Sequence, residues 1–431
     1  MKTRILSLLL SLCLLLSLVP GAVAAGDVTG TVEKRAGYDL ASVRCELADG
    51  SYFFAEVEET AAGYAYTFPR PSGEYTVKAE YFSTTVWDGV VDISWYDPAQ
   101  SAFYLDTPAK LAGLAALVNG RTDANTPDYR VKGDRTQLVS TKVDDFLLIG
   151  AGGGNIRGTA YLGDPAHDFS DKTVYLTADL NMGGTSNWTP IGGKYPLDAE
   201  NSEFVIEAFF NGTLDGQGHR ITNLYCDRYA AKGYAYSQAV GLIGYLGELY
   251  DGEAAPRTAP AVRNLSVSGS IYGRRSVGGI VGKSGTVPTG VYIENCANYA
   301  AVRNTDSKGI GGIIGYGWGT GAIVNCYNTG SVATTYACPA GGICGSNGGL
   351  DIYNCYNVGT IDSNGNQRGR GIGGHDKGSY TVSDCYYLEG CDDDPASNGW
   401  YLGTALAANV SVTAMSAADM RSAKLLDALN V

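Results

Sequence analysis

Five short glycine strings constrain this chain more than any other feature in it. They are Val240-Gly241-Leu242-Ile243-Gly244, Val277-Gly278-Gly279-Ile280-Val281-Gly282, Ile310-Gly311-Gly312-Ile313-Ile314-Gly315, Ala340-Gly341-Gly342-Ile343-Cys344-Gly345 and a degenerate Ile372-Gly373-Gly374-His375. The closing glycines of the first four fall 38, 33 and 30 residues apart. Between copies a second string recurs, V/I-x-N-[L/C]-x-x-x-G. A period of about 20–50 residues is the mark of a solenoid, in which each repeat covers the open face of the last.

Aligning the second string produces a column: Leu224, Leu265, Cys296, Cys326, Cys355 and Cys385. Each coil thus contributes one residue to one inward position, and coils of a parallel β-helix lie about 4.8 Å apart. Because leucine fills the slot in two coils, the cysteines are best explained as small buried hydrophobes. Bridges between neighbouring rungs are a sterically conceivable alternative, whereas a straight column does not supply tetrahedral metal geometry. The preceding residue is Asn223, Asn264, Asn295, Asn325, Asn354 and finally Asp384. Asn and Asp tolerate the left-handed conformation of a tight corner, and stacked amides bond from coil to coil. Asn298, Asn328 and Asn357, two residues after the cysteines, are expected to be exposed or at the next turn. The glycine strings are expected to make sharp corners around one short buried strand.

The rest of the chain places this solenoid. Lys2 and Arg4 precede an apolar run from Ile5 to Val19 and the pattern Ala22-Val23-Ala24, a signal peptide over residues 1–24. The run is too short to span a bilayer, so the mature chain is expected to be extracellular, secreted or on the cell surface, with no membrane span. Its charge falls from −13 to about −15 once Lys2 and Arg4 are removed, which argues against nucleic-acid partners. The 59 glycines and 30 tyrosines favour short strands and turns over helices.

Residues 26–97 alternate as short strands at Val28–Val32, Ser42–Leu47, Tyr52–Val57, Tyr64–Phe68, Tyr75–Phe82 and Val90–Ile93, which argues a small β-sandwich. The runs Gly63 to Phe68 and Ser72 to Val77, with Gly30-Thr31-Val32 upstream, resemble prealbumin-like or carboxypeptidase-regulatory-like domains, which are spacers or binding modules. Residues 98–106 read as a linker. Thr107 and Pro108 open a helix to about Asn119 that would cap the first coil. Residues 120–169 read as an early coil with a long inserted loop. Thr173 to Leu180, Trp188 to Gly192 and Phe209 to Leu224, taken with the helix and the glycine strings, resemble the bacterial GLUG-motif family. That resemblance implies a right-handed parallel β-helix of an exported surface protein over residues 107–412. Residues 413–431 read as a C-terminal capping helix. The expected fold class is therefore all-β: a right-handed parallel β-helix preceded by a small β-sandwich.

Signals for chemistry are weaker. Gly282-Lys283-Ser284 lacks the upstream glycine of a phosphate loop, and equivalent coils carry Tyr316 and Ser346, which makes Lys283 incidental. Asp362 to Asn366 opens like a calcium loop, but Gln367 and Gly373 stand where Gly and Glu belong. Asp392-Asp393-Asp394 reads as a solvated loop. His167, His219 and His375 fall in no protease or hydrolase string. Asp179, Asp215 and Asp227 are the acids to inspect for glycoside chemistry. Unassigned tyrosines, above all Tyr327, Tyr356, Tyr386 and Tyr316, suit an outward face for glycan or protein ligands. The expectation is a non-enzymatic adhesion or binding module with no catalytic residue, metal or cofactor, contacting an extracellular glycan or protein, with cell-wall association open. The alternative is a polysaccharide lyase or hydrolase on the same scaffold.

Overall fold

The computed structural model describes residues 26–35, 37–48, 51–119, 129–131, 159–162, 168–196, 205–229, 238–248, 255–306, 308–365, 369–375, 380–392, 400–401, 410–422 and 425. The expected signal peptide, most of the loop after Asn119, Tyr234, Tyr236, Tyr250, His167, Asn366, Gln367, Asp393, Asp394 and most of the expected C-terminal helix lie outside these residues.

The N-terminal strands form two antiparallel three-stranded sheets. Strand Asp27–Val32 pairs with Gly63–Pro69, which pairs with Glu56–Thr60; Tyr38–Leu47 lies between Tyr52–Phe54 and Tyr75–Val86. Val43, Cys45, Tyr66 and Phe68 are buried between the sheets. Residues 90–93 form no strand: Val90 and Val91 are exposed, and Asp92 turns the chain by accepting from the Ser94 amide and hydroxyl. The last N-terminal strand also runs on into the solenoid, pairing in parallel with Asp179–Asn181. The expected linker likewise contains a rung, since Ala102–Leu105 pairs in parallel with Thr173–Leu176.

Helix Pro108–Val118 closes this end. The Thr107 hydroxyl accepts from the Lys110 amide, and Leu111, Leu114, Leu117 and Val118 pack into the solenoid core with Phe103, Leu105 and Trp188. At its C-terminus the buried Asn119 donates to the Pro190 carbonyl and accepts from the Gly192 amide, tying the cap to the second coil.

Beyond it the chain is a parallel β-helix. Strands Thr213–Asp215, Ala261–Arg263, Val291–Glu294, Gly321–Val324 and Asp351–Tyr353 stack on one side, and Val281–Ser284, Ile314–Gly317, Cys344–Asn347 and Gly373–His375 on another. At the far end strand Val410–Met415 adds a rung over the first residues of the expected capping helix, and the helix Ala417–Met420 follows it. Among the described residues no helix is long and apolar enough to cross a membrane.

The corner ladder forms as a left-handed turn in successive coils, with φ of 56°, 53°, 54°, 52° and 54° at Asn264, Asn295, Asn325, Asn354 and Asp384. Each amide donates to the residue one coil earlier, from Asn354 through Asn325 and Asn295 to Asn264, which donates to the Asp215 carboxylate. Asn223 shares the left-handed conformation, with φ of 55°, and its amide donates to Asn181 one coil earlier, but it stands outside this column. The register pairs Arg220 with Ser266, so the turn Gly216 to His219 holds the place of Asn264, and Leu224 lies opposite Gly269. The inward column is therefore Leu265, Cys296, Cys326, Cys355 and Cys385, all buried.

A second correction concerns Asn298, Asn328 and Asn357, which are fully buried. Asn298 donates to Asn328 and Asn328 to Asn357, each at 2.7 Å, while each side-chain NH₂ also bonds the carbonyl two residues on. Val267 holds this position in the coil before, inside the unbroken strand Ser266–Gly273. Asparagine enters where the next coil splits that strand into Ala297–Asn298 and Ala301–Asn304, because the tight turn between them leaves polar backbone inside.

This buried ladder explains the glycine pairs. A Cβ at Gly279, Gly312 or Gly342 would stand 2.2–2.4 Å from an amide side-chain atom of Asn298, Asn328 or Asn357. The closing glycines meet backbone instead: a Cβ at Gly282 would lie 2.4 Å from the Ala239 carbonyl carbon, and one at Gly315 equally close to that of Ser276. None of these five has a left-handed φ. Close approach, and not corner geometry, selects glycine here.

Candidate functional site

Strand alternation turns the residue after each column cysteine outward, and three coils place tyrosine there. Tyr327 pairs with Tyr356 and Tyr356 with Tyr386 in parallel register. The rings of Tyr327 and Tyr356 stack with centroids 4.9 Å apart and planes 3° from parallel. Tyr299 meets Tyr327 edge-on at 5.8 Å, with their hydroxyls hydrogen-bonded to each other, and is 46% exposed. Stacked rings cover one another's faces, so this ridge presents ring edges and hydroxyls outward; the accessible ring is Tyr299, which composition alone did not single out. Burial pushes the phenols of Tyr327, Tyr356 and Tyr386 up, with the Tyr299 hydroxyl adding to the shift at Tyr327. They stay neutral and keep their donor protons at physiological pH.

Tyr316 is not part of this ridge. It sits on the sheet of the closing glycines, in the column Tyr245, Lys283, Tyr316, Ser346. There it is 8% exposed and stacked on Trp318. The Lys283 ammonium lies 4.7 Å from the Tyr245 ring centroid and 6.0 Å from that of Tyr316, and Lys308 lies 5.2 Å from Tyr316. Lys283 thus places its ammonium near the rings of Tyr245 and Tyr316 in the neighbouring coils. The signal was available: each of these column residues directly follows a closing glycine. The remaining tyrosines scatter, with Tyr229 stacked on Tyr272 and Tyr245 packed against Phe209.

The three acids singled out for glycoside chemistry are engaged in structural contacts. Asp179 binds the His219 ring at 3.1 Å and the Arg220 guanidinium at 2.9 Å. Burial would raise its pKa, but these hydrogen bonds and the Arg220 charge outweigh it and hold the carboxyl low, the wrong direction for a general acid. Asp215 pairs with Arg263 and anchors the corner ladder, and Asp227 accepts from the Tyr229 amide. The nine cysteines of the described residues are buried and form no disulfide, which leaves the rung-to-rung bridges unmade. Among the described residues no three metal-ligating side chains cluster.

No family model matches the chain, so the GLUG-motif and prealbumin-like readings remain resemblances. A 124-residue stretch is 32% identical to Halomucin of Haloquadratum walsbyi; the match covers 25% of this chain and 1% of that protein. It is compatible with a surface protein. A solved structure from Bacteroides ovatus, provisionally named an immunoglobulin A1 protease, is similar at 23% identity over 58% of this chain and 79% of that one, with a TM-score of 0.40. The expectation that this chain is not an enzyme is corrected on that ground, since a structural neighbour carries a protease name. A likeness of this degree places no catalytic residue here.

Proposed function

We propose that this chain is an exported surface or secreted protein that uses the outside of its β-helix to bind an extracellular glycan or protein. The leader pattern at residues 1–24 and the acidic, glycine- and tyrosine-rich composition support export. The observation that carries the binding reading is the ridge of Tyr299, Tyr327, Tyr356 and Tyr386, which presents one exposed ring and a line of neutral hydroxyls on a rigid wall. Aromatic edges with hydroxyl tips suit partners that need apolar contact and hydrogen bonds together. Rigid side chains held by stacking lose little entropy when a ligand docks. A glycan array probed with the full chain and with Tyr299→Ala tests it. The reading predicts defined glycans bound by the wild type and lost in the variant at unchanged circular dichroism. Array signals indifferent to that substitution contradict it.

A further inference from the structure

Resting on the reading of Tyr299, Tyr327, Tyr356 and Tyr386 as a binding face, we propose that its ligand is an uncharged linear polysaccharide laid along the solenoid axis, successive sugars on successive coils. Tyr327, Tyr356 and Tyr386 each stand one residue beyond an inward cysteine, and the corner residues Asn325, Asn354 and Asp384 stand one residue before it. Coils repeat at about 4.8 Å, and the Tyr327 and Tyr356 rings follow at 4.9 Å. A flat hexose chain linked through equatorial oxygens advances by nearly the same step, ring by ring.

Charge selects against an acidic polymer. No lysine or arginine stands between Lys308 and Arg368, the stretch that forms the coils of Tyr327 and Tyr356 from Ile310–Gly311 through Ile361–Asp362. Arg303, in the coil of Tyr299, lies opposite Tyr272 on the next face of the coil. The corner ladder ends in the exposed Asp384, whose charge acts on the Tyr386 phenol. A carboxylate or sulfate chain would find no cation in the two middle coils and a like charge at the end of the row. The same lack of cations excludes a phosphate backbone.

Donors and acceptors select for sugar hydroxyls. Each corner amide spends one N–H on the coil before it, from Asn354 to Asn325, from Asn325 to Asn295 and from Asn295 to Asn264. An amide nitrogen carries two donors, so Asn295, Asn325 and Asn354 each keep a second N–H, and Asn295 and Asn325 are exposed. The Tyr356 hydroxyl bonds no other described residue. A rail of amides and a rail of phenols therefore climb one wall at the coil spacing. Sugar hydroxyls donate and accept at once and can satisfy both rails; an apolar protein surface would cover the amides and leave them unpaired.

Both rails are fixed before a ligand arrives. The amides are tied coil to coil, and the Tyr327 and Tyr356 rings are held by stacking, so little side-chain freedom is lost on docking. The exposed Tyr299 ring, edge-on to Tyr327, opens the row and offers an apolar face to the sugar at that end. The row then spans four coils, through Tyr327 and Tyr356 to Tyr386.

The test is calorimetric titration of the full chain with β-1,4-linked oligomers of glucose, mannose and N-acetylglucosamine, from one to six units, and with oligogalacturonate of matching lengths. At least one neutral series should tighten about tenfold or more from monomer to tetramer and gain little beyond it. Its affinity should hold from about 20 to about 300 mM salt, because no charge pair is screened. Tyr356→Phe, which removes one hydroxyl and keeps the stack, should weaken it about threefold or more at an unchanged unfolding midpoint. Failure of all three neutral series to bind, affinity that does not grow with length, or oligogalacturonate binding as tightly as every neutral series overturns the proposal. An acidic glycan or a protein bound by the wild type and lost in Tyr299→Ala would overturn this ligand and keep the binding face, whereas affinity indifferent to Tyr299→Ala would remove the face itself.

Discussion

Asn328 carries more of this fold than any exposed residue does. Its amide oxygen accepts from Asn298, and its nitrogen donates to Asn357 and to the Gly330 carbonyl, all without access to water. Removing it strands buried polar groups on both neighbouring coils, so Asn328→Ala should cost about 3 kcal/mol in urea unfolding. At the exposed corner Asn325→Ala should cost only about 1 kcal/mol, the penalty of a left-handed alanine. Equal losses at the two sites would mean that the inner ladder does not hold the coils together. Both asparagine sets are visible in the sequence, but polarity is a poor guide to which one is inside. Strand alternation is the better guide: Asn298 lies two residues after the buried Cys296 and shares its face.

At the scale of the element, the glycine strings are spacers for the asparagines and for the backbone of neighbouring coils. Gly342→Ala would put a methyl 2.2 Å from the Asn357 side-chain carbon and from the Gly371 carbonyl oxygen. Such overpacking should cost about 3 kcal/mol, read as a fall in the unfolding midpoint. A near-neutral variant would contradict the close approach of the coils. The repeat made the coils legible because its copies are nearly regular from Leu265 onward. It misled at Leu224, where the coil reaches its corner one strand earlier through Gly216 to His219, and a match of three letters could not show that shift. The shared strand Tyr75–Val86 was also illegible as such, since pairing with Asp179–Asn181 depends on contact about a hundred residues away. Of the candidate face, the Tyr327, Tyr356, Tyr386 row follows from the period alone. Separating Tyr316 from it, and placing Lys308 beside Tyr316, required knowing how each coil closes.

For the whole molecule, six buried thiols make stability depend on pH. Burial pushes Cys226, Cys344 and Cys391 up to about 12, and Cys296, Cys326 and Cys355 well above the ordinary thiol range. Thiols of the unfolded chain ionise near about 8.5. Between these values the native state keeps protons that the unfolded state has released. Stability is therefore intact below about pH 8.5 and falls as pH climbs toward 12, by about 1.4 kcal/mol per pH unit for each such thiol. The raised phenols of Tyr327 and Tyr356 add in the same direction. Urea midpoints measured from pH 7 to 11 should hold and then drop steeply; a flat profile would mean that the column is hydrated.

The central claim is that ligands meet the outward rows of this solenoid while the repeat itself only builds the wall. Calorimetric titration of the strongest array ligand into the wild type and into Tyr299→Ala/Tyr327→Ala tests it most directly, with the unfolding midpoint of each protein measured alongside. The account predicts that affinity falls about tenfold or more while the double variant stays folded. Unchanged affinity in a folded double variant would contradict it.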